Sequence, residues 1–302
     1  MTPPAPVPPA LDGLHVLALP AGSDVLALAR AWFPEAGWER VPTAGQPAVR
    51  PTGARFRGIT VEPVATAGAL VLAEGVTVTG PHPSDAAAAR AMGLPAKDAD
   101  LYGLPVVTPA GAAVTADLVA GWATAAARRT GGGIVPADRR YAVVPDPASA
   151  LDLTLWSPVT IAAQDAVPLV RPALSGSRLG PTETPQQGSG AEGFSLTATY
   201  EYDGAVIVRL TRSREVPVVL STLDWREHGP WGYHVTWRPP DPRELELEHP
   251  SQLHVVARQR VAPAVARVTA TLWRAAGGTV VDAGGFVVPA AELDDRTRAV
   301  TR

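Results

Sequence analysis

The sequence predicts an α+β protein made of two tandem halves. Each half reads as a βαββαβ-like (ferredoxin-like) sandwich, a mainly antiparallel sheet with helices on one face. Three observations carry this. Thr115 to Pro145 reads as an amphipathic helix, a glycine break at Gly131, Gly132 and Gly133, and two short apolar runs ending in Val143, Val144 and Pro145. The same pattern returns at Val261 to Pro289, with the break at Gly277 and Gly278. Each half also opens on an alternating run bounded by turn residues, Leu14 to Leu19 and Leu151 to Trp156, as strands do. Those runs start 137 residues apart and the glycine breaks 146 apart, a difference of nine residues that loops absorb at small entropic cost. The expected organisation is a proline-rich disordered tail over 1–13, halves over 14–148 and 149–293, and a charged tail over 294–302.

Composition narrows the function classes. Of 302 residues, 46% are hydrophobic and only 18% charged, enough apolar material for two cores and too little charge for a disordered chain. The formal net charge is -3 and no basic stripe stands out, which argues against a nucleic-acid partner. There are no cysteines, so disulfides, thiolate metal sites and cysteine nucleophiles are excluded. Lys97 is the only lysine among 26 basic residues. With abundant Ala, Gly, Pro and Val, this reads as GC-rich coding bias and a bacterial source. Met1 to Gly13 has neither the positive nor the apolar region of a secretory signal, and no apolar run is long enough for a membrane span. The expected location is cytoplasmic.

In the first half, Leu14 to Leu19 is a strand, and Ser23 or Asp24 caps the helix carrying Val25, Leu28 and Trp32. Residues 35–54, rich in proline and glycine, read as a loop. Arg55 to Glu62 and Ala69 to Thr79 read as strands. Leu70, Leu72, Glu74, Val76 and Val78 share one parity, so a regular strand would aim Glu74 at the core. A turn at Gly75 frees that carboxylate; the sharper alternative is a functional acid of elevated pKa. Ser84 caps a short helix ending at Gly93, and Leu104 to Val107 is a short strand. Val114, Leu118, Trp122 and Ala126 form the stripe of the next helix, with Arg128 and Arg129 in its last turn. Its glycines follow the helix, where carbonyls point outward, so they are no phosphate cradle.

In the second half, Asp165 caps a short helix over Val167, Val170 and Leu174, stopped near Pro172. Gly176 to Gly193 reads as a polar, mobile loop. Phe194 to Thr211 is a hairpin turning at Asp203 and Gly204. Val216 to Trp225 and Gly232 to Arg238 read as strands. Leu253 to Arg258 is either a short strand or the lead-in to the last helix, on which Val261, Val265, Val268 and Leu272 repeat the stripe and Pro263 lies near the start.

The candidate site is the polar, aromatic connector between the last two strand-like runs. Asp224, Arg226, His228, Trp231, Tyr233 and His234 are the candidate binding residues, because loops beside a rigid sheet often carry function and Trp, Tyr and Arg dominate binding hot spots. A metal site is not expected: His228 and His234 are separated by a Gly229–Pro230 break, and His249 and His254 share no helical spacing. Gly176–Ser177 and Gly188–Ser189–Gly190 lack the strand-to-helix elbow of a serine nucleophile. No Walker or dinucleotide loop is present, so no cofactor is expected. The leading expectation is a non-enzymatic protein-interaction module, of the bacterial accessory or immunity kind, whose partner is another protein. The alternative is an enzyme or small-molecule binder using a cleft between the halves, with Glu74, Asp224, His228 and His234 as its polar groups.

Overall fold

The computed structural model describes residues 7–43, 66–106, 114–180, 193–245, 247 and 250–298. The fold is α+β, in two compact units, Met1–Pro147 and Ala148–Arg302. The first contains β1 (Val16–Pro20), α1 (Val25–Arg30), β2 (Gly37–Arg40), β3 (Gly68–Ala73), β4 (Val76–Ser84), α2 (Ala86–Ala91), β5 (Ala99–Gly103), α3 (Ala116–Thr130) and β6 (Gly133–Val135). Its sheet runs β2-β3-β4-β5-β1-β6, antiparallel at every pairing. The second contains β7 (Leu153–Ser157), α4 (Ala163–Val170), β8 (Arg178–Leu179), β9 (Ser195–Tyr200), β10 (Gly204–Arg212), α5 (Trp225–His228), β11 (Trp231–Arg238), α6 (Gln252–Ala276), β12 (Thr279–Asp282) and α7 (Ala290–Arg298). Its sheet runs β12-β7-β11-β10-β9-β8, again antiparallel.

The two sheets share one order of connections. In each, the opening strand lies between the strand that precedes the long helix and the strand that follows it. The cross-strand row Tyr102–Leu17–Ile134 has its counterpart in Tyr233–Leu155–Val280. Gly133 opposes Ala18 while Thr279 opposes Trp156, so the opening strands are offset by 138 residues and not the 137 expected. The single residue matters because side chains alternate along a strand, and a slip of one exchanges the faces.

A βαββαβ unit has four strands and includes parallel neighbours; each sheet here has six strands and only antiparallel pairs. The additional strands lie where loops were expected. β2 is a four-residue edge strand inside the 35–54 stretch, and β8 is a two-residue one inside 176–193. Edge strands this short, with half of β2 and both residues of β8 exposed, leave no apolar alternation to read. The fifth strand is Ala99–Gly103; of the expected strand Leu104 to Val107, residues 104–106 are not strand and Val107 lies outside the described residues. The expected strand Arg55 to Glu62, His249, most of the 176–193 loop and the outer parts of both tails lie outside the described residues.

The long helices cover one face of each sheet. In the first unit the Trp122 indole of α3 donates to the Leu28 carbonyl of α1 at 2.9 Å. In the second, Val261, Val265, Val268 and Leu272 of α6 are buried with Leu153, Leu155, Tyr233 and Val235 of the sheet, each apolar side chain contributing about 2 kcal/mol on removal from water. The opposite face is not bare, as one-sided sandwiches would require. A 3-10 turn at Pro9–Leu11, within the tail expected to be disordered, buries Leu11 against Val16, Ala18 and Leu101 together with Met92. In the second unit Val216, Val219, Leu220 and Leu223 cover Trp156 and Val281. That segment was expected to be a strand. Its apolar positions recur at three and four, and it folds as a 3-10 turn with bends.

Several ends differ from expectation. Asp85, not Ser84, caps α2, accepting from the Ala88 amide at 2.8 Å. Asp24 caps α1 and Thr115 caps α3. Asp165 lies in the first turn of α4, which has no side-chain cap. Leu253 to Arg258 is helical, because α6 starts at Gln252 under a Ser251 cap. Pro263 therefore sits inside a 25-residue helix, and its missing N–H leaves one turn without its hydrogen bond. Residues 294–298 of the expected charged tail belong to α7. Both long helices end on glycines, Gly131 with φ 72° and Gly277 with φ 65°, as the glycine breaks predicted. Glu74 sits in the β3–β4 turn, exposed, beside Gly75 at φ 74°.

Candidate interaction site

The connector between β10 and β11 is held by local chemistry. Asp224 caps α5, accepting from the Arg226 amide at 2.9 Å, and pairs with the Arg226 guanidinium at 3.4 Å. Thr279 at the start of β12 donates to the Glu227 carbonyl at 3.0 Å. Gly229 turns the chain at φ 51° so close to β7 that a Cβ there would lie 2.2 Å from Pro158 Cα. The Ser213 amide donates to the Pro230 carbonyl at 2.9 Å. The short helix is thereby fixed across the end of β7 by contacts that do not involve the large side chains.

Beside it opens a cleft of about 630 Å³, lined by Arg212, Ser213, Arg214, Val216, Trp225 and His228 with the Gly229–Pro230 backbone. Trp225 is 60% exposed at its rim, with the Arg226 guanidinium 5.3 Å from its ring centroid. Arg212 lies over Trp231 at 5.8 Å. His228 is only 8% exposed, and its Nδ1 is 3.2 Å from the Gly229 carbonyl oxygen. Ser213 holds its own turn, its hydroxyl donating to the Glu215 carbonyl at 2.6 Å and accepting from the Glu215 amide at 3.1 Å. Among the described residues no hydrogen bond joins Ser213 to His228. The side chains gathered here are guanidinium, indole and imidazole, suited to holding anionic and apolar groups.

The six residues singled out from the sequence separate into two sets. Asp224, Arg226 and His228 sit on or beside α5. Trp231 is half-buried, against the core on one side and under Arg212 on the other. Tyr233 is fully buried; its hydroxyl accepts from the Ile161 amide at 2.7 Å and donates to the Val159 carbonyl at 3.0 Å, so it braces the loop after β7. Burial raises its pKa and keeps the phenol neutral. His234 lies on the other face of β11 between two hydroxyls, Thr154 Oγ1 at 3.2 Å from Nδ1 and Thr211 Oγ1 at 2.9 Å from Nε2. Burial, and secondarily the charge of Arg209, lower its pKa. Glu74 belongs to the first unit. Among the described residues no cluster of three His, Asp or Glu side chains is placed to hold a metal ion, and no helix is long and apolar enough to cross a membrane.

Sequence reasoning passed over Arg212, Arg214 and the exposed Trp225. The signal for them is the Arg-Ser-Arg run that ends the alternation of β10: Arg212 faces Trp231 across the ladder, so the connector and strand end share one wall. No family model matches the chain, and no curated protein or solved structure matches it.

Proposed function

We propose that the second unit is a protein-docking module that engages its partner through the connector at residues 212–230. The observation that carries the reading is the stance of Trp225: a large indole 60% in solvent, on a helix fixed from below, at the rim of a cleft. Exposure of such a ring has a solvation cost that burial in a partner would remove, and Trp and Arg are the residues most enriched at binding hot spots. The charge-paired Asp224 and Arg226 form a polar rim around it. We infer in addition that the two units derive from one duplicated segment, on the strength of their shared strand order and the matched rows Tyr102–Leu17–Ile134 and Tyr233–Leu155–Val280.

The test is site-specific photocrosslinking in source-cell lysate, with benzoylphenylalanine placed at Arg226 and, as control, at the exposed Arg274 of α6. A protein captured only from position 226 is then purified and titrated against the unsubstituted protein and Trp225→Ala. The expected loss of affinity is about tenfold or more, the scale of a tryptophan anchor. Identical capture from both positions, or unchanged affinity in Trp225→Ala, would overturn the proposal.

A further inference from the structure

Each unit has a cleft at the end of the short helix that precedes the strand before the long helix, but the other wall comes from different segments, residues 139–142 after β6 in the first and 212–216 at the end of β10 in the second. In the first unit it lies by Met92 and Gly93 after α2 and has a volume of about 580 Å³; in the second it lies by His228 and Gly229 after α5. Both are lined by two arginines and an exposed aromatic ring, Arg139, Arg140 and Tyr141 in one, Arg212, Arg214 and Trp225 in the other. Their arginines are engaged differently. Arg139 donates to the Leu14 carbonyl at 2.9 Å, the Pro136 carbonyl at 3.2 Å and the Leu11 carbonyl at 2.5 Å, and Arg140 pairs with Asp138 at 3.4 Å. In the second unit Arg212 lies over the face of Trp231, and among the described residues neither it nor Arg214 has an ion-pair partner. Among the described residues no carboxylate lines this cleft. One cleft is thus a braced structural corner, and the other presents two guanidinium forks without ion-pair partners among the described residues, with Val216 in its wall and Trp225 at its rim.

We propose that the second cleft receives an acidic peptide segment, with one or two carboxylates taken by Arg212 and Arg214 and a neighbouring apolar side chain laid against Trp225. This rests on the docking role proposed above and names the chemistry of its partner. Guanidinium groups bind carboxylates bidentately, which fixes orientation as well as charge. The protein's negative net charge provides no general attraction for an acidic partner, so the affinity must come from these two side chains locally.

The experiment is fluorescence anisotropy on the full chain with three labelled peptides: one alternating glutamate with a central phenylalanine, the same with lysine for glutamate, and the glutamate peptide with serine for phenylalanine. A short single-stranded DNA is the fourth probe. The glutamate–phenylalanine peptide is expected to bind at least about tenfold more tightly than either peptide control. Arg212→Glu and Arg214→Glu should each weaken it by a similar factor, and Arg214→Glu should gain affinity for the lysine peptide, a reversal that a misfolded variant cannot give. Arg140→Glu in the first unit should change nothing. Equal binding of glutamate and lysine peptides, no effect of the charge reversals, or DNA bound as tightly and lost in the same variants would overturn the proposal. If a crosslinked partner is lost in Trp225→Ala yet indifferent to both charge reversals, the docking face stands and the acidic ligand falls.

Discussion

Replacing Gly132 or Gly278 by alanine probes the closest contact in each unit, where the chain leaves the long helix and passes the opening strand. A Cβ at Gly132 would lie 2.2 Å from the Ala18 carbonyl oxygen, and one at Gly278 would lie 2.1 Å from that of Trp156. Both obstacles are backbone atoms of a strand paired on both sides, so neither can rotate away. Reaching a tolerable contact needs a retreat of roughly 1 Å, which strains the ladder that the closing strand has just entered; overpacking of this kind costs about 1–3 kcal/mol. Gly278 also sits at φ 105°, which adds about 1–3 kcal/mol for any residue with a side chain. Gly22→Ala is the control, since Gly22 has φ 81° with nothing within 4 Å of the added carbon, isolating backbone strain from the clash. The assay is urea unfolding followed by intrinsic fluorescence, with hydrogen exchange on peptides covering β1 and β7 to locate the loss. Gly132→Ala should loosen β1 and leave β7 protected, and Gly278→Ala should do the reverse with the larger total loss. If Gly278→Ala, which adds the clash to the same kind of strain, proves no more damaging than Gly22→Ala, the argument from close backbone approach fails.

Two further outcomes follow from the second unit. Tyr233→Phe removes the hydroxyl that serves both the Ile161 amide and the Val159 carbonyl, leaving two backbone groups without their partner; a loss of about 1–3 kcal/mol in urea unfolding is expected, with faster exchange at Ile161. Acid should weaken the protein through its histidines. The folded-state pKa values of His82, His234 and His254 all lie below the ordinary 6.5, lowered first by burial. The unfolded chain therefore takes up protons first, and the stability present above about pH 6.5 is lost as pH falls through the folded values. The urea midpoint should drop between about pH 7.5 and pH 5.5, and His234→Gln should shallow the drop; a midpoint flat over that range refutes it.

Long-range order was legible where the pattern was long. The stripe of α6, both glycine terminations and the β9–β10 hairpin follow from side-chain period and from the φ that only glycine tolerates. Of the stripe expected on α3, Val114, Trp122 and Ala126 are buried, but Leu118 is exposed and Val119 is buried in its place. What escaped was short or context-bound. β2 and β8 are edges too brief to alternate. Val216 to Leu223 was misread because a dense valine run matches periods of two and of three to four alike. In the candidate site, composition pointed to the connector, but it could not separate Tyr233, turned to the core by strand parity, from Trp225, turned out by a single helical turn. The arginines after β10 became visible only with register, because Arg212 belongs to the site through its neighbour across the ladder and not through its neighbours in sequence.

The pairing of first strand with last has a consequence for how the chain can be rewired. Val16 opposes Val135 and Leu153 opposes Asp282, so in each unit the start of the first strand lies beside the end of the last; the second unit then continues into α7, whose Leu293 is buried in its core. In the first unit a short bridge could join those points, and new ends could be opened at the Glu74 turn without cutting a core strand; a circular permutant of that unit is thus topologically permitted.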